Sequence, residues 1–144
     1  MAEAIDVLVP TEGIAYNTFD SSGNVLTATL YGNNLRGLAY NSKLTSITLP
    51  TNPTIISPCA FMMCSNLRLT SLPDSIIEIG NNAFSGCTNI TLSKLPPNLT
   101  KITERSFYGC SNLKLTSLPE NLYRIDSNAF YLATISLTTF PQKL

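Results

Sequence analysis

The chain has 144 residues, with nine basic and nine acidic side chains and a formal net charge of zero. That length suits one compact domain or a short array of units sharing a core. The balanced charge argues against a nonspecific polyanion binder, whether for nucleic acid or for an acidic membrane surface. Charged residues make up only 12% of the chain, well below the usual quarter, so the surface is polar but mostly uncharged. Histidine is absent, which removes Ser-His-Asp and Cys-His catalysis and His-ligated zinc together.

Residues 1–25 fit no repeat and carry a turn signal, Asp20-Ser21-Ser22-Gly23, so an N-terminal cap or docking segment is expected there. The opening MAEAIDVLVPTEG has no basic stretch followed by an apolar one, so no signal peptide is expected. No apolar run reaches the roughly 20 residues that a bilayer requires, and no membrane insertion is expected either. Residues 26–144 are expected to form a repeat array. Its first unit, residues 26–43, is degenerate, with Leu26, Leu30 and Leu38 at repeat-compatible positions but no Pro, Phe or Cys.

Clear units start at residue 44. Phe61, Phe84, Phe107 and Phe130 are each 23 residues apart, and Cys64, Cys87 and Cys110 keep the same step, as do Pro50, Pro73, Pro96 and Pro119. Neither a period of 2 nor one of 3.6 runs through a unit, so a coil that turns several corners is expected rather than one strand or helix. Residues 69–72 read as a short strand, ended by a proline that lacks an amide donor. Residues 76–79 read as a second extended piece. Ser57, Gly80, Thr103 and Asp126 then share one position, expected to cap a short helical turn carrying Ala-Phe. Gly86 and Gly109 suit a left-handed exit from it. A single coil cannot bury its apolar face alone, so coils must stack at about 4.8 Å, with the Phe column as the spine. The last unit departs from the pattern: Ala133 replaces Cys, one residue is lost before Ile135, and Pro141 follows Pro119 by 22. It reads as incomplete and uncapped.

Leu-Pro, Ile, Ala-Phe, Cys and Asn-Leu on a 23-residue period resemble the BspA-type leucine-rich repeats of Treponema and Bacteroides surface proteins. The resemblance covers about residues 44–144. It implies an α/β repeat fold: a right-handed leucine-rich-repeat solenoid with a parallel β-sheet face and short helical turns opposite, here about four to five coils. It also implies a non-catalytic role in adhesion or protein binding. Similar repeats occur in bacteriophage structural proteins.

The four cysteines invite a metal or disulfide reading. Cys64, Cys87 and Cys110 each follow a core Phe by three, so they should point inward in parallel, poorly oriented for disulfides, as buried apolar fillers. Cys59 lacks the second pair or His that a zinc site needs. Asn66, Asn89 and Asn112 form a corner column, expected to turn inward and satisfy backbone groups. Asp74 and Glu120 are two coils apart on solvated corners, which leaves no acid/base pair. Glu78, Lys101 and Arg124 read as a lateral column holding an exposed ion pair and one extra cation. No catalytic, cofactor or metal residues emerge, so no enzyme and no cofactor are expected.

Candidate partner-binding residues lie in two places. On the first extended piece, Arg68, Thr70, Thr91, Ser93, Lys94, Lys114 and Thr116 present hydroxyls and three cations without an acid, which suits an acidic or glycan partner. On the turn side, Met62, Ser85, Tyr108 and Tyr131 form an outward column with Tyr123 nearby, and exposed tyrosines are enriched in interfaces. The reading is a protein-interaction or adhesion module for a protein or glycan surface. Its alternative is a structural or decoration component of a larger assembly such as a bacteriophage virion. That component would dock through the N-terminal segment or self-associate through the open C-terminal coil. The expected location is a virion or a bacterial surface assembly.

Overall fold

The computed structural model describes residues 6–8, 14–19, 25–30, 34–35, 38–42, 44–49 and 55–144. The turn expected at residues 20–23 and the corner at Pro50 lie outside them. Among the described residues nine short strands follow in order: β1 (Asp6–Leu8), β2 (Ile14–Phe19), β3 (Val25–Leu30), β4 (Asn34–Leu35), β5 (Ser46–Thr48), β6 (Ile55–Ile56), β7 (Glu78–Ile79), β8 (Lys101–Ile102) and β9 (Arg124–Ile125). β2 and β3 form an antiparallel hairpin with Ile14 opposite Leu30. Leu26 and Leu30, expected in a degenerate coil, therefore belong to a hairpin arm. β1 pairs in parallel with β5, with Asp6 opposite Ser46 and Leu8 opposite Thr48.

The repeat is built by parallel stacking. Ile55 and Ile56 of β6 face Glu78 and Ile79 of β7, and Lys101 and Ile102 of β8 face Arg124 and Ile125 of β9. Both registers equal the sequence period, because only that step brings like residues together. The ladder changes between Ile79 and Thr103. Ile56 and Ile102 accept the amides of Gly80 and Asp126 at 2.8 Å, whereas Ile79 accepts the Thr103 hydroxyl at 2.7 Å. The first extended piece, expected as a strand, is looser. Single bonds join the first coils there, Arg68 N to Thr45 O and Thr91 N to Leu69 O at 2.9 Å and Lys114 N to Leu92 O at 3.0 Å, and two join the last, Ser136 N to Leu115 O at 3.0 Å and Thr138 N to Thr116 O at 3.1 Å; among these pieces only β5 is a regular strand.

Among the described residues there is no helix, so the expected helical turns are corrected to chains of β-turns. In one coil, Ala83 N donates to Gly80 O at 3.1 Å, Ser85 N to Asn82 O at 3.2 Å and Cys87 N to Phe84 O at 3.0 Å. Asn82 and Gly86 have φ of 58° and 76°, at the third turn position where a type II turn needs positive φ. Each left-handed residue rotates the next peptide and frees alternate amides. Asn82, Phe84 and Gly86 donate instead to Glu104, Ser106 and Tyr108 of the next coil at 3.0, 2.9 and 2.7 Å. A helix running on from Gly80 would consume the Phe84 and Gly86 donors internally. The position of Ser57, Gly80, Thr103 and Asp126 thus opens a turn rather than capping a helix. Gly80 is there for space, because a Cβ would collide with the backbone and ring of Pro58.

The core is a set of columns. The Phe61, Phe84, Phe107 and Phe130 rings stack at 5.4, 5.5 and 5.6 Å, with interplanar angles of 13°, 10° and 8°. Leu38 heads that column: it is buried and its amide bonds Ala60 O at 2.9 Å, as that of Phe61 bonds Ala83 O. Next to it run Ala60, Ala83, Ser106 and Ala129, all buried. Ser106 is the odd member, and among the described residues its Oγ has no partner.

Phe84→Ala should cost about 3–5 kcal/mol, from lost burial plus a cavity. Phe130→Ala should cost about half as much, since Phe130 is only partly buried; urea unfolding of both variants checks this. Ser106→Ala should raise the unfolding free energy by about 1 kcal/mol, because it removes a buried hydroxyl that makes no hydrogen bond.

Candidate functional site: the exposed columns

The cysteine column is internal. Cys64, Cys87 and Cys110 are free and buried, and Cys59 is free and half-buried. Their Sγ–H groups donate to Leu38 O, Phe61 O and Phe84 O at 2.9, 2.9 and 3.1 Å. Burial pushes the Cys64 thiol from its ordinary 9.0 up to about 11 and that of Cys110 up to about 12. Cys87 moves the same way, mainly by burial and further through its neighbours Cys110 and Cys64. Such thiols are poor nucleophiles and poor metal ligands at neutral pH. Among the described residues no group of three His, Cys, Asp or Glu side chains is placed to hold a metal.

The asparagine column also serves the backbone, though from outside. Asn66, Asn89 and Asn112 donate Nδ2–H to Ser42 O, Ser65 O and Thr88 O at 2.6, 2.7 and 2.6 Å. Each bond reaches 24 residues back, to the preceding coil. Asn66 is half-buried and the other two are exposed, so these amides clamp the corner from its solvent side rather than turning inward. In the charge column, Arg124 pairs with Asp126 on its own coil.

The first extended piece presents Arg68, Thr70, Ser93, Lys94, Lys114 and Thr116 to solvent, with Thr91 half-buried. Alternation places Leu67, Leu69 and Leu72 in the core, which turns residues 68, 70 and 71 outward. The same holds one and two coils later. Arg68, Lys94 and Lys114 have no carboxylate partner among the described residues. An open groove of about 380 Å³ runs along this face, with Ile47 and Leu49 on one side and Arg68, Thr70 and Ser71 on the other.

The turn-side column is less exposed than expected. Ser85 is buried, Met62 and Tyr108 are half-buried, and only Tyr131 stands out, at 55%. Tyr108 and Tyr131 lie 5.5 Å apart with a 32° tilt. The Arg105 guanidinium sits 6.0 Å from the Tyr108 centroid, within cation–π range. Tyr123 is exposed on a different column, its amide bonded to Thr100 O at 2.9 Å. Tyr108 and Tyr131 therefore make one tilted pair, and Tyr123 is a separate ring. Sequence reading missed Arg105, whose left-handed φ of 51° carries it onto this edge and which no residue-type pattern announces.

Parallel registry at a 23-residue step, a stacked Phe column and single backbone bonds between successive extended pieces define a repeat stack of the leucine-rich kind. The chain belongs to the BspA type leucine-rich repeat family, whose model matches residues 37–144 as 6 copies. That span includes Leu38, the head of the Phe column. The family is generally non-catalytic and its repeats generally mediate protein interactions. No match was found among curated proteins or among solved structures. Among the described residues no helix is long and apolar enough to cross a membrane.

In native protein at neutral pH, a thiol reagent should modify Cys59 first, and Cys64, Cys87 and Cys110 only after denaturation. Because folding raises their pKa values above 9.0, the unfolded thiols ionise first. Their contribution is intact below about pH 9 and is lost as pH rises toward the folded values. Urea midpoints between pH 8 and 11 should fall with pH, and less steeply in Cys87→Ala.

Proposed function

We propose that the chain is a non-catalytic interaction module that binds a protein partner on its first extended face. The supporting observation is the segregation of exposed side chains. The outward columns from Arg68 to Thr116 hold hydroxyls and cations without a carboxylate, and at the Arg68 end they border a groove with Ile47 and Leu49 on its other side. Rigid stacking holds these side chains on a fixed lattice, which lowers the ordering cost of binding. Adhesion to a protein or glycan surface of a bacterial cell is the setting this face suits.

A second reading, as a structural or decoration component of an assembly such as a virion, draws on a different observation. Tyr131, Leu132 and Phe140 are 55%, 63% and 67% exposed, and a groove of about 480 Å³ opens between Leu118 and Phe140. Large apolar side chains left exposed near the end of a stack favour contact with a neighbouring subunit.

A photo-crosslinking residue placed at Ser93 should capture a discrete protein, and Ser93→Trp should weaken binding of that protein at least tenfold. Stability should change by no more than about 0.5 kcal/mol, since Ser93 is an exposed side chain. Crosslinks formed only from Tyr131 or Phe140 would select the assembly reading instead.

A further inference from the structure

We infer that the partner segment is acidic and extended, crosses the coils, and carries carboxylates about three residues apart. This rests on the first extended face being the binding surface. The chain as a whole is neutral, yet its charge is not evenly spread. Among the described residues, the outward positions of this face in three successive coils are Arg68, Thr70 and Ser71, then Thr91, Ser93 and Lys94, then Lys114, Thr116 and Ser117. They contain three cations and no acid. Within residues 55–144 the carboxylates sit elsewhere: Asp74 and Glu120 beyond the prolines, Glu78 on β7, Glu104 and Asp126 at the turns; Asp6 is on β1, paired with β5 ahead of these three coils. Two of the other cations are engaged, Arg124 with Asp126 and Arg105 with Glu104 at 4.0 Å and with the Tyr108 ring. Arg68, Lys94 and Lys114 have no such partner among the described residues.

The spacing of these cations is set by the fold. Arg68 and Lys114 occupy equivalent positions two coils apart, which is about 10 Å at the usual inter-strand distance. Lys94 lies three residues along the intervening coil from Thr91, displaced sideways by a similar length. An extended chain of the polyproline II kind has three residues per turn and rises about 3.1 Å per residue, so carboxylates on every third residue share one face and match the Arg68 to Lys114 interval. The Thr and Ser hydroxyls between them offer donors to the intervening backbone carbonyls. Charge complementarity of this kind chooses a partner and speeds encounter more than it adds affinity.

The test uses the full chain and a labelled peptide of repeating Glu-Thr-Thr, followed by fluorescence anisotropy at low and high salt. Binding should weaken about tenfold in the Arg68→Gln, Lys94→Gln, Lys114→Gln triple variant. It should weaken with added salt, and stay unchanged in Lys101→Gln. A peptide of the same composition with its glutamates consecutive should bind more weakly. Equal binding by the triple variant, no binding at all, or tighter binding of a sulfated oligosaccharide through the same three residues would each overturn the inference. Ser93→Trp separates the two levels: if it abolishes binding of the crosslinked partner while the Glu-Thr-Thr peptide fails to bind, the face is the binding surface and its partner is not acidic.

Discussion

Everything in this chain depends on one constraint: a coil has no inside of its own. Phe84 is fully buried only because Phe61 and Phe107 lie on either side of it, and the same is true of the leucine and cysteine columns. Burial therefore enforces a common register. Once the register is fixed at one period, every feature of the unit becomes a column. The backbone follows the same rule, since amides that a lone coil would leave unpaired find carbonyls one coil away.

The columns were legible in the sequence because burial is unforgiving about residue type. Phe, Cys, Ala and Leu recur where nothing else fills the space. The geometry of the turns was less legible, because its signal is a backbone angle and not a side chain. Gly86, Gly109, Asn82 and Asn128 are conventional left-handed residues, but Cys59, Met63, Arg105 and Leu132 adopt the same conformation, held there by stacking rather than by preference. A helical turn was the natural expectation from composition, and the competition for amides between coils decides against it.

Other differences have the same origin. The exposure of Tyr108 and Ser85 depends on what the adjacent coils place beside them, which one unit's letters do not state. The pairing of Arg124 with Asp126 depends on local reach across two residues. The β2–β3 hairpin carries leucines at spacings that also suit a coil, and only the direction of pairing tells the two apart. On the first extended face the side chains, their outward direction and the lack of an acid among them were readable. That Arg68, Lys94 and Lys114 have no carboxylate partner among the described residues follows from the stack.

The direction of the inter-coil bonds has a further implication. Along the turns, amides of the earlier coil donate to the later one: Phe61 to Ala83, Phe84 to Ser106, Phe107 to Ala129. Along the extended pieces the donation runs backward, and the thiols and asparagine amides follow it. Each coil therefore offers one pattern of donors and acceptors upward and its complement downward. Any unit of this pattern fits above or below any other, so duplication or loss of a whole period leaves the joints chemically unchanged. The length of such an array is free to drift in evolution, while the letters within a coil are not.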